Sequence, residues 1–135
     1  MKNKKSYIDT YKTLYPVDIV VANETVTLEK LRKLYTTCKG TKLSEEVMNC
    51  VASASRAKRI SDDKYVILIK YNHPTMVKGI DKEADLVSTC AHEATHAALD
   101  IFEYIEEIPC TQHQETLAYL IEYVAACIYK TLRKK

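Results

Sequence analysis

The chain has no tryptophan, one phenylalanine, two glycines and three prolines in 135 residues. With so few breakers, most of it is expected in regular structure rather than in loops. No apolar run approaches the length of a bilayer span, so no membrane association is expected. The basic start, MKNKKSYIDTYKTLYP, lacks the apolar stretch of a signal peptide. The five cysteines (38, 50, 90, 110 and 127) are odd in number, widely spaced and without a CxxC pair. That pattern argues against a disulfide framework or a cysteine zinc site and points to reduced thiols in a cytoplasmic protein. Net charge is only +2, and the basic excess sits at the two ends, MKNKK and KTLRKK, rather than in a stripe. Nucleic acid is therefore not an expected partner, and residues 1–10 and 132–135 are expected to fray.

What the chain does have is tyrosine, ten of them, a side chain suited to half-buried surfaces and clefts. Its length fits one domain, residues 1–135. PVDIVVAN (16–23) reads as a short strand closed by Asn23. ETVTLEKLRKLYTTCKG (24–40) carries Val26, Leu28, Leu31, Leu34 and Tyr35 near helical spacing, with Gly40 as the stop. The stretch 44–60 is expected to open as a helical turn and continue as a strand near 50–57. YVILIKY (65–71) is expected to be a strand buried on both faces, and NHPTMVKG a loop. A helix is predicted over 82–104 with Asp81 as its N-cap. Its alanines at 84, 91, 94, 97 and 98 would admit close neighbours. A last helix is predicted from the capping-box pair Thr111 and Gln114, with an apolar stripe through Leu117, Leu120, Ile121, Val124 and Ile128. The short connection makes the two helices antiparallel neighbours. The fold class is α+β, a small sheet packed against helices.

Within the first of these helices lies STCAHEATHAALD (88–100), containing His92-Glu93-Ala94-Thr95-His96. Residues four apart on a helix share a face, so two imidazoles can address one ion without bending the backbone. Zinc accepts neutral imidazole nitrogen and keeps a position open when three protein ligands are supplied. Glu93 lies about 100° around the helix from His92. It is placed not to ligate but to take a proton from an attacking water and return it to the leaving amine. The order H-E-x-x-H thus supplies two ligands and a base. In a chain of this composition it arises by chance only about 0.01 times, which favours a site over coincidence. The third ligand must come from elsewhere, with His113, Glu115 and Glu122 as candidates. Helix rise alone leaves all three open, because the connection at 105–110 can recover several ångströms.

From STCAHEATHAALDIF to ETLAYLIEYV, roughly residues 62–130, the chain resembles gluzincin-type zinc metallopeptidases. It looks most like the compact versions of phages and mobile elements, including the ImmA/IrrE peptidases. The resemblance implies a zincin-like fold, a Zn²⁺ cofactor and cleavage of a protein or peptide substrate. It also implies a third ligand followed three residues on by alanine, which matches Glu115 with Ala118; Glu122 with Ala125 is the alternative. In zincins a sheet edge beside the metal pairs with extended substrate, which gives YVILIKY a possible second role.

The chain departs from the thermolysin-like pattern at Tyr119, where an acidic residue would hold a ligand histidine. Tyr119 instead becomes the candidate oxyanion donor, with Tyr123, His113 and His73 as alternatives. Asp100, four after His96, is either a partner for that imidazole or a solvent-facing helix residue. Two rival readings stand beside the peptidase. One is a non-catalytic binding protein on a zincin scaffold; the other is a nucleic-acid protein using its basic tails.

Overall fold

The computed structural model describes residues 3–75 and 77–135. Residues 1, 2 and 76, which fall in the expected frayed start and the expected loop, lie outside that description. The fold is α+β: a five-stranded mixed sheet with three α-helices. In chain order these are β1 (Ile8–Tyr11), β2 (Asp18–Ala22), α1 (Leu28–Leu34), β3 (Tyr35–Thr37), β4 (Ala52–Arg59), β5 (Tyr65–Tyr71), α2 (Lys82–Tyr104) and α3 (Glu115–Leu132). A 3-10 turn, Glu45–Met48, precedes β4. The sheet order is β1-β2-β5-β4-β3. Among the described residues only the β2–β5 pair is parallel.

Alternation along β2 and β5 builds a core on each face of the sheet. Ile19, Val21, Ile67, Ile69 and Tyr71 face α2 and α3, where Ala94, Ala97, Ala98, Ile101, Leu120, Val124 and Ile128 complete one cluster. Val20, Ala22, Val66 and Leu68 face the other way, onto Val26, Leu31 and Tyr35. Burying an aliphatic side chain contributes about 1.5–3 kcal/mol, so these two strands, covered on both faces, anchor the molecule. The alanines of α2 let it approach the sheet closely. Ala84 and Ala91 are the exceptions, being exposed.

Asp81 caps α2 as expected, its Oδ1 accepting from Ala84 N–H at 2.7 Å. Elsewhere the structure departs from expectation. The helix foreseen over 24–40 is α1 alone. Thr27 caps it, and Tyr35 at its end turns extended, so that Tyr35-Thr36-Thr37 pairs with β4. Gly40, at φ +80, closes a turn between Thr37 and Thr41 rather than ending a helix. The capping box does not form either: α3 begins at Glu115, and Gln114 donates its side-chain N–H to the Thr111 carbonyl.

From Lys4 onward both ends make contacts with the body of the fold. Residues 8–11 form β1, Lys134 pairs with Asp9 at 2.7 Å, and the Tyr7 hydroxyl donates to the Lys135 carbonyl. Tyr129 at the end of α3 bonds Glu83 at the start of α2, so the helices are antiparallel. Among the described residues no helix is long and apolar enough to cross a membrane.

Candidate metal centre

The helix periodicity of α2 sets the site. Its buried residues include Asp85, Thr89, Cys90, Glu93, Ala94, Ala97, Ala98, Ile101 and Phe102, which places Glu93 on the edge of the core-facing side. His92 and His96 rise from the exposed side; the His92 side chain is 68% exposed. At about 100° per residue, His92, His96, Asp100 and Glu103 fall along one stripe. Arg56 of β4 clasps the end of that stripe, with one guanidinium nitrogen 3.3 Å from Asp100 Oδ1 and 2.5 Å from Glu103 Oε2. Asp100 is thus held by an arginine; its recorded partner is Arg56, not a histidine.

His92 Nε2 and His96 Nε2 stand 3.2 Å apart, their rings edge to face. Two nitrogens bound to one tetrahedral zinc at about 2.0–2.1 Å would be separated by roughly 3.3 Å, so the pair is set at metal-chelating distance. Glu93 Oε1 lies 4.0 Å from His92 Nε2. Glu93 is 5% exposed, and its Oε2 is buried with no hydrogen-bond partner. Burial pushes this carboxyl above its ordinary range, against the lowering influence of His92 and His96. A buried, unpartnered carboxylate oxygen beside two converging imidazoles is costly without a use. These three residues therefore fit a divalent cation with a neighbouring base.

The other expected site residues are dispersed. Glu115 is the first residue of α3 and is exposed, as are Glu122 and His113. Among the described residues, no group of three His, Cys, Asp or Glu side chains is gathered to hold a metal. The topology gives a reason. α2 lies over β4 and β5, and α3 over β2 and β1. The histidine stripe follows the β4 flank of α2, while α3 packs along the opposite flank.

Tyr119 and Tyr123 lie on the far side of α3. There they line a cavity of about 600 Å³ with Lys12, Thr13, Leu14, Tyr15, Thr116 and Leu120. The Tyr123 hydroxyl donates to the Lys12 carbonyl. His73 is a loop residue, its Nδ1 against the Pro74 carbonyl.

β5 cannot receive a substrate strand, because it is the middle strand with β2 and β4 on its two edges. Besides the outer edges of the terminal strands β1 and β3, part of β4, the sheet strand beside α2, is also open. β5 pairs with residues 52–58 of β4, but β3 covers only residues 57–59. Among the described residues, no strand covers the outer edge of residues 52–56. This edge is close to the histidines: Arg56 reaches α2, and burial together with the Glu93 charge pushes up the thiol of Cys50, just before β4. The strand itself falls close to the 50–57 expected from sequence, but its bare edge was not legible, because it depends on how far the distant β3 extends along it. The strand's one signal was the alternation of Ala52, Ala54 and Arg56 toward the helices.

Compared with family models, curated proteins and solved structures, the chain matches none.

Proposed function

We propose that this protein is a small zinc-dependent peptidase acting on an extended segment of a protein substrate, on a zincin-like arrangement of sheet and helices. The observation that carries the reading is the 3.2 Å pairing of His92 and His96 beside the buried, unpartnered Glu93. His92 and His96 would hold the ion; when bound, it supplies Lewis acidity toward a water and a scissile carbonyl. Glu93 takes the proton of the attacking water, and its raised proton affinity lets it hold that proton until the leaving nitrogen accepts it. The bare edge of β4 offers main-chain hydrogen bonds to an extended peptide alongside. Glu115 is the proposed third ligand on the strength of the gluzincin resemblance. To serve, the first turn of α3 must swing toward the histidines through the connecting residues 105–114. Tyr119, the oxyanion donor proposed from sequence, lines the cavity on the other side of α3, so a swing of the first turn alone would not deliver it.

Metal analysis and a cleavage assay test this together. Wild type and Glu93→Gln are expected to retain one zinc per chain, His92→Ala and His96→Ala to lose it, and Glu115→Gln to bind about 10–100-fold more weakly. A ligand loss should cost no less than the second-shell losses that set this scale. Only wild type is expected to cut a mixed peptide library. Absence of zinc from wild type after reconstitution would remove the proposal.

A second reading is a binding module without turnover. It is favoured by one feature: Leu14 is 100% exposed on the wall of the 600 Å³ cavity, far from the histidines. Zinc in both wild type and Glu93→Gln, with no cleavage by either, would select it.

A further inference from the structure

Beyond the histidines, α2 and the sheet border a smaller, half-open cavity of about 270 Å³, lined by Cys38, Arg56, Tyr65, Ile67, Asp100 and Tyr104 among others. At about 30 Å³ per water, it has room for roughly nine waters, or one large side chain. Its walls are mainly apolar. The two charges on its wall, Arg56 and Asp100, lie 3.3 Å apart, and the guanidinium is also held by Glu103 at 2.5 Å, so it is fully engaged. Tyr65 and Tyr104 stand with ring centroids 5.1 Å apart, making a fixed aromatic wall. A charged side chain placed among these apolar walls would lose its hydration, whereas an uncharged one that fills them displaces water from apolar surface.

Its position is as informative as its chemistry. Arg56 is the last residue of β4 before β3 covers the edge, and Cys38 immediately follows β3. The cavity therefore lies at one end of the bare edge. Asp100 is four residues beyond His96, about 6 Å along the helix. Extended peptide advances about 3.3 Å per residue, so this is two residues' distance. β4 and α2 run the same way, because both run against β5: β4 pairs with it antiparallel, and Tyr65 at the start of β5 stacks with Tyr104 at the end of α2 while Thr75 beyond its end bonds Asp85 near the start of α2. A peptide pairing antiparallel with β4, the more stable pairing, would enter with its N-terminal part over the cavity.

From this we infer that the cavity is a specificity subsite for a bulky uncharged side chain, leucine, methionine or phenylalanine, two residues before the bond that is cut. The inference rests on the peptidase reading for the word "cut", but side-chain capture by the cavity can be tested without cleavage. Full-length Glu93→Gln is titrated with fluorescent β-prone octapeptides that differ at one position, carrying Leu, Phe, Ala, Asp or Lys. Leu and Phe peptides are expected to bind at least about tenfold more tightly than Asp or Lys peptides. Cys38→Trp, which fills the chamber, should erase that preference while leaving the Ala peptide unchanged. Tyr104→Ala, which enlarges it, should shift preference from Leu toward Phe. In parallel, cuts made by zinc-loaded wild type in a peptide library are mapped by mass spectrometry.

Cuts without enrichment two residues upstream would overturn the subsite and leave the peptidase standing. Selective binding that Cys38→Trp abolishes, with no zinc and no cuts, would uphold the subsite and overturn the peptidase. No binding of any peptide, or a preference unmoved by Cys38→Trp, would overturn the subsite.

Discussion

Glu93 is the residue on which the proposed chemistry turns, and its cost should be measurable without substrate. Its carboxylate is buried, one oxygen lacks a hydrogen bond, and its proton affinity is raised by burial. A carboxyl whose folded pKa lies above its unfolded value contributes stability while it is protonated and loses it as pH rises through the folded value. Glu93→Gln does not titrate. In metal-free protein the variant should therefore gain on wild type as pH rises from acid to neutral, reaching about 1–2 kcal/mol, and the two should converge below the ordinary carboxylate range. Thermal melts across pH 3.5–8 check this; a variant less stable than wild type at neutral pH would mean that Glu93 has partners. His92, Glu93 and His96 were legible in the sequence because their relation is local, fixed by one helix. The place of Glu115 relative to them was not, because it depends on which flank of α2 the next helix occupies, and that is decided by strand order.

At the scale of elements, Asp18 at the start of β2 gathers several segments. It is 1% exposed and lies 3.0 Å from Lys12, 3.2 Å from Arg59 and 3.0 Å from Lys64, joining β2 to the β1–β2 connection and the β4–β5 hairpin. Asp18→Asn leaves three cations facing a neutral amide and should cost about 1–3 kcal/mol in denaturant unfolding, below the cost of breaking a fully buried pair because the cations are partly hydrated. Lys12→Ala, at the exposed end, should cost under about 1 kcal/mol. The strongly patterned elements could be read from the sequence: β5 and α2 fall where expected because burial on both faces and a capped 3.6-residue period are unambiguous. β1 and β3 could not. IDTY and YTT are short and polar, and they become strands only because distant partners present edges to them.

For the whole molecule, the telling residue is Lys70, fully buried in β5. Its ammonium donates to the Asn23 and Tyr71 carbonyls at 2.9 and 2.7 Å, tying the end of β2 to the end of β5. Burial pulls its pKa down to about 8 from 10.5. A folded pKa below the unfolded one means stability fully present above about 10.5 and lost as pH falls through about 8. The swing is on the order of 3 kcal/mol. Urea titrations at pH 7 and pH 10 should show wild type gaining stability relative to Lys70→Met over that interval; parallel pH profiles would refute a buried titrating lysine.

The parallel seam between β2 and β5 has a consequence for synthesis. Strands that meet side by side at Asp18–Ala22 and Tyr65–Tyr71 are separated by the whole of α1, β3 and β4. A nascent chain cannot close that seam until its seventy-first residue is clear of the ribosome. The apolar face it creates stays bare until α2 and then α3 emerge to cover it. Translation pauses placed between β5 and α3 should therefore raise aggregation of the newborn protein, whereas pauses before β5 should not.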